Sequence, residues 1–115
     1  MAIFNSNGKP KLISVDMDGT LTDGTPFWKG RPQPHHGMID LVRKLYEGGN
    51  HIIIWTARAW MYAPETVGWL IEHNVPFHGV YMQKGGSDLY LDDKAIRVDD
   101  TLTEEKVWDI LNGKI

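Results

Sequence analysis

Leu12-Ile13-Ser14-Val15-Asp16-Met17-Asp18-Gly19-Thr20-Leu21-Thr22 is the stretch that decides how this chain folds. A short apolar run meets two carboxylates two residues apart, then a glycine and a hydroxyl. The run from Leu12 to Val15 reads as a buried strand, and Gly19 breaks it. The aspartates therefore emerge at the strand's carboxyl end, where open α/β sheets place their ligand sites. Burying one carboxylate is costly, and two like charges side by side cost more. A bound cation, or a reaction that consumes one carboxylate, accounts for such a pair.

Outward from that stretch, residues 22–37 are rich in Gly, Pro and His and lack helical periodicity. They read as a loop or small flap over the carboxyl edge of the first strand. Met38, Leu41, Val42 and Leu45 then recur as the stripe of an amphipathic helix, ended by Gly48-Gly49. The β-branched run His51-Ile52-Ile53-Ile54-Trp55 predicts a second buried strand. Val67, Leu70 and Ile71 mark a second helix between Pro64 and Pro76. Gly79-Val80-Tyr81-Met82 predicts a third strand, Leu89-Tyr90-Leu91 a fourth and Ile96-Arg97-Val98 a fifth. Thr101 and Glu104 have capping-box spacing and open a last helix through Val107, Ile110 and Leu111. The order predicts an α/β fold, a central mostly parallel sheet flanked by helices.

The 115 residues suit one domain over the whole chain, 1–115. A net charge of −3 disfavours nucleic acid as a partner, since a basic footprint is missing. The absence of cysteine excludes disulfides, thiolate zinc sites and cysteine nucleophiles. Residues 1–11 do not read as a signal peptide, and no apolar run is long enough to span a bilayer. A soluble cytoplasmic protein without a membrane partner is expected. Five tryptophans in so short a chain point to core or interface positions.

Polar residues follow each predicted strand. Asp16 and Asp18 follow the first, Thr56, Ala57 and Arg58 the second, Lys84 the third, and Asp92-Asp93 the fourth. In a parallel sheet all of them line one edge. That set suits phosphoryl transfer. A carboxylate can attack phosphorus and split hydrolysis into two easier steps. A second carboxylate can protonate the leaving oxygen and later deprotonate water. Magnesium prefers hard oxygen ligands and uses one or two carboxylates plus phosphate and water. A lysine and a hydroxyl can neutralise and position phosphoryl oxygens.

Asp16-Met17-Asp18-Gly19-Thr20-Leu21 resembles the first motif of the haloacid dehalogenase (HAD) superfamily in its phosphatase branch. Thr56 resembles the second motif, Lys84 the third, and Asp92-Asp93 the fourth. Ile53-Ile54-Trp55-Thr56-Ala57-Arg58, Trp69-Leu70, Val75-Pro76-Phe77, Lys84 and Leu91-Asp92-Asp93-Lys94-Ala95-Ile96-Arg97 are similar to small HAD proteins linked to capsule and surface-polysaccharide biosynthesis. The resemblance implies a single Rossmann-like HAD domain and a magnesium-dependent phosphomonoester hydrolase. Asp16 would be the nucleophile, forming an aspartyl-phosphate, and a ligand of Mg2+. Asp18 would be the general acid/base, with its backbone carbonyl on the metal. Thr56, Ala57 and Lys84 would bind the phosphoryl group. Asp93 is favoured as a direct metal ligand, with Asp92 holding Lys84 or a metal-bound water. The spacing leaves no room for a cap domain, so Trp28, Arg58 and Trp60 are the nearest candidates to hold the rest of the substrate. A sugar phosphate or another small phosphorylated metabolite is the expected substrate.

Blander roles compete for several of these residues. Arg58 could form a structural ion pair, Trp60 could pack on the second helix, and Lys84 could be a loop lysine. His35-His36 reads as a surface pair and not a metal site, and Gly85-Gly86 as a turn. Competing functions are a nucleotide or polynucleotide-end phosphatase, a phospho-switch, and a non-catalytic HAD scaffold. An open, capless site and abundant tryptophan favour self-association as a homo-oligomer.

Overall fold

The computed structural model describes residues 9–114. Residue 115 and residues 1–8, which hold most of the segment read as lacking a signal peptide, lie outside the described residues. Among the described residues three strands form the sheet: β1 (Leu12–Val15), β2 (His51–Trp55) and β3 (Gly79–Tyr81). All pairings are parallel, and β2 is central. The register sets Val15 against Ile54 and Trp55 against Tyr81, so the strands' carboxyl ends lie at one edge. Gly79 pairs with Ile53, and a Cβ at Gly79 would come within 3.2 Å of the Ile53 Cδ1.

Three helices complete the core: α1 (His36–Glu47), α2 (Ala63–Glu72) and α3 (Glu104–Leu111). Strand residues Val15, Ile52 and Ile54 meet Met38, Ile39, Val42 and Leu45 of α1. Trp69 and Leu70 of α2 and Val107 and Trp108 of α3 close the same cluster. The result is a Rossmann-like α/β fold with a parallel sheet. A single turn of 3₁₀ helix, Trp60–Tyr62, leads directly into α2. Residues 22–34 form a loop whose ends meet at an antiparallel bridge, Thr22 to Pro34. Among the described residues no helix is long and apolar enough to cross a membrane.

Several expectations need correction. The fourth and fifth strands do not form; among the described residues, 89–91 and 96–98 are irregular. Each is a three-residue triplet at the short end of strand lengths, and neither finds a pairing partner among the described residues. Local bonds hold the segment instead, with the Tyr90 hydroxyl donating to the Gly85 carbonyl and the Lys94 N–H to Asp92. Among the described residues one edge of β1 is therefore unpaired, and Leu12 and Ser14 are exposed where a buried strand was expected. Helix α2 is rotated from its predicted phase: Thr66, Trp69 and Leu70 are buried, while Ile71 faces solvent. The Trp69 indole N–H donating to the Pro32 carbonyl fixes that rotation. Helix α3 is capped by Thr103, whose hydroxyl accepts from the Lys106 N–H, and not by Thr101. Thr101 is taken up by Asp99, which accepts from both its N–H and its hydroxyl. His35 and His36 are exposed, as the surface reading expected, and His35 also caps α1, its Nδ1 accepting from the Met38 N–H.

Candidate active site

Met17 is fully buried while its neighbours Asp16 and Asp18 are partly exposed. The alternation follows from the extended chain leaving β1: one side chain enters the core and the two flanking it point away. The turn that follows is gathered on one acceptor. The Met17 carbonyl accepts N–H groups from Thr20, Leu21 and Thr22 at 2.8–3.1 Å. Gly19 adopts φ +82°, a conformation that L side chains rarely take. The Thr22 hydroxyl accepts from the N–H groups of Gly19 and Gly24, tying the turn to the loop behind it.

The loops after β2 and β3 are stitched together. The Thr56 N–H donates to the Tyr81 carbonyl, the Gln83 N–H to the Arg58 carbonyl, and the Lys84 N–H to the Thr56 carbonyl. Buried Met82 anchors this crossing, and Gln83 takes φ +60° to turn the chain back. Such a backbone is uncommon for a non-glycine residue. The Gln83 side chain, accepting from the Trp60 N–H, helps hold it.

That turn delivers Lys84 to Asp16. Lys84 Nζ lies 2.9 Å from Asp16 Oδ1, closing a contact between residues 68 apart in sequence. The Lys84 ammonium also sits over the Trp55 ring at 4.7 Å and the Tyr90 ring at 5.4 Å from their centroids. The Thr20 hydroxyl reaches Asp16 Oδ2 at 3.4 Å. Asp18 is held separately. Arg58 Nε and Nη2 donate to its two oxygens at 2.9 and 2.8 Å, the bidentate fork that guanidinium and carboxylate favour. Arg58 Nη1 donates to the Thr66 hydroxyl at 3.1 Å, and its Cζ lies 4.2 Å from the Phe27 ring centroid. In both pairs the cation is the buried partner: side-chain exposure is 9% for Lys84 and 3% for Arg58, against 41% for Asp16 and 36% for Asp18. Two anions therefore face outward on buried positive supports.

Such an arrangement can present one carboxylate to an electrophile while a lysine neutralises charge beside it, with a second carboxylate nearby for proton transfer. Asp16 and Asp18 are hard oxygen donors with solvent access, a set that fits magnesium bound through one or two carboxylates, water and a phosphate. A fuller protein cage is not assembled: among the described residues no group of three His, Asp or Glu side chains could hold a metal ion.

Of the predicted site residues, four form two directly bonded pairs, Asp16 with Lys84 and Asp18 with Arg58. Asp92 and Asp93 are exposed in the irregular segment and form no ligand cluster with the first pair. Thr56 is almost wholly buried, and its hydroxyl accepts the Arg58 N–H at 3.2 Å. Ala57 is exposed beside Gly86. Arg58, expected to hold substrate, has its guanidinium committed to Asp18 and Thr66. Trp28 and Trp60 are both exposed, and Trp28 packs edge-on to Phe27. Sequence reasoning missed Thr66, Phe27 and Tyr90. None carries a local signal, because each acquires its partner only through the fold.

The parallel sheet and the strand-end aspartates define a HAD-like phosphatase fold, and among the described residues no cap domain is inserted in it. The chain belongs to the family described as PITM 1-3, LNS2 domain, whose model matches residues 13–112. Membrane-associated phosphatidylinositol transfer protein 1 from Homo sapiens is 31% identical over 70 residues, 61% of this chain. Its counterparts in Rattus norvegicus and Mus musculus match equally. The match spans only 6% of the length of these curated relatives. The crystal structure of an MCSG target from Vibrio cholerae superposes with a TM-score of 0.72 at 25% identity, covering 91% of this chain and 99% of that one.

Proposed function

We propose that this chain is a magnesium-dependent phosphomonoester hydrolase working through an aspartyl-phosphate on Asp16. The observation that carries this is the Asp16–Lys84 pair at the strand ends, with Asp18 two residues on and separately held by Arg58. An Asp16 oxygen attacks phosphorus, and the ester oxygen leaves with the proton that Asp18 supplies. Water then attacks the same phosphorus from solvent, Asp18 takes its proton, and the Asp16–phosphorus bond breaks to release phosphate. Lys84, with its charge 2.9 Å from Asp16, neutralises phosphoryl oxygens in both steps. Thr56 supports the Arg58 backbone beneath the site. The Asp16 carboxylate and the Asp18 backbone carbonyl would hold magnesium, which would supply further neutralisation of phosphoryl charge. Asp93 and Asp92 join the ligand set in this proposal only after the segment that carries them moves toward β1.

A sugar phosphate or similar small metabolite is the first substrate class, supported by the likeness to polysaccharide-linked HAD proteins. Exposed Trp28 and Trp60 offer apolar surface for the remainder of the substrate. A second class is a phosphate on a lipid headgroup, favoured by the relatives whose names couple membrane association with phosphatidylinositol transfer. A panel of sugar phosphates, nucleotides and phosphatidate vesicles, assayed for magnesium-dependent phosphate release, separates these classes. No release from any member, with pure folded protein, overturns the enzyme reading. An Asp16 phosphate that persists for hours would instead identify a phospho-switch.

A further inference from the structure

Arg58 has three distinct contacts and almost no access to solvent. Its Nε and Nη2 bind both oxygens of Asp18, its Nη1 binds the fully buried Thr66 hydroxyl, and Phe27 lies against its plane. The three anchors come from different places: the turn after β1, the loop 22–34, and α2. A guanidinium fixed at Thr66 and Phe27 has a fixed fork, and a carboxylate bound to both tines has a fixed plane. Both Asp18 oxygens are held by the fork, so the orientation of this carboxyl toward the site is set by Arg58.

We infer that Arg58, braced by Thr66 and Phe27, is a positioning residue that holds Asp18 as the base for the second half of the reaction. The inference rests on the phosphatase reading of the site. In that half-reaction the water oxygen bonds to phosphorus and its proton passes to Asp18. The Asp16–phosphorus bond breaks, and its electron pair returns to the Asp16 carboxylate. The first half-reaction on an activated aryl phosphate needs no proton, because the leaving phenolate is already stable. Loss of Arg58 therefore slows breakdown of the phosphoenzyme far more than its formation.

The test is rapid-quench hydrolysis of 4-nitrophenyl phosphate with magnesium by wild type, Arg58→Ala, Arg58→Lys and Thr66→Val. Thr66→Val keeps the side-chain shape and removes only the Nη1 anchor, so it tests the brace should Arg58→Ala fail to fold. Wild type should show no burst. Arg58→Ala should release about one nitrophenolate per chain and then turn over about 100-fold more slowly, the scale of a lost general base. Acid-quenched protein should carry phosphate on Asp16. Thr66→Val and Arg58→Lys should show the same burst with smaller losses. Equal slowing of both phases, or unchanged kinetics in Arg58→Ala and Thr66→Val, overturns the positioning role alone. A wild type that releases no nitrophenolate overturns the phosphatase reading and the role with it.

Discussion

Asp16 and Asp18 differ in their partners, not in their residue type. Lys84 reaches Asp16 through one point charge, whereas Arg58 grips Asp18 by two bonds. Asp16→Asn removes the proposed nucleophile and should abolish turnover, with the fold intact by circular dichroism. Lys84→Ala should lower kcat/KM about 100-fold, the scale of a lost electrostatic stabiliser. Its effect on melting should be slight, about 1 kcal/mol or less, because the Asp16 left behind is substantially hydrated. Detectable turnover by Asp16→Asn equal to wild type would remove that residue from its proposed role. Away from the site, the Thr101 hydroxyl and N–H hold the Asp99 carboxyl below its ordinary value of 3.8. A group depressed on folding contributes stability that is fully present above the unfolded value and is lost as pH falls through the folded one. Carbon-detected NMR titration should give an Asp99 midpoint under 3.8, moving upward in Thr101→Val; an unmoved midpoint argues against the hydroxyl as the main cause.

The helices test how far periodicity alone can be read at the level of an element. In α2, Leu70 is fully buried and Ile71 is 64% exposed. Leu70→Ala should cost about 2–5 kcal/mol in denaturant unfolding, the range for a large-to-small core change. Ile71→Ala should stay within about 0.5 kcal/mol. Equal costs at the two positions would mean that the helix phase is the one periodicity suggested. Both residues look alike in sequence, and both fall on the predicted stripe. What separates them is Trp69, whose indole must reach the Pro32 carbonyl and so rotates the helix. The start of helix α3 follows the same rule. Thr101 and Thr103 are equally good caps by residue type. Asp99 captures the first through two hydrogen bonds, leaving Thr103 to cap the helix. Thr103→Ala should therefore cost about 1 kcal/mol.

For the molecule as a whole, the proposed chemistry requires magnesium. Turnover should vanish with EDTA and return with added magnesium, and metal-independent hydrolysis would refute the dependence. Among the described residues the three-stranded sheet leaves one edge of β1 bare, and the apolar triplet Leu89-Tyr90-Leu91 is exposed. The order of strands and helices through β3, and the strand-end position of Asp16 and Asp18, were legible in the sequence. Apolar runs of β-branched residues and a glycine break are local signals that need no tertiary partner. So was the likeness to a HAD-like phosphatase fold, because the strand-end carboxylates, Thr56 and Lys84 follow the strands in a recognisable order. The fourth strand was not legible, since three apolar residues suit a strand or an exposed loop equally and only pairing decides. The same limit hid the ion-pair partner of each aspartate. Spacing alone put Asp16 and Asp18 side by side, but which cation each would meet depended on where β2, β3 and α2 delivered Arg58, Lys84 and Thr66. Those contacts span 68 residues for Lys84 and 40 for Arg58, and directional hydrogen bonds at that separation are set by packing, which no local pattern encodes.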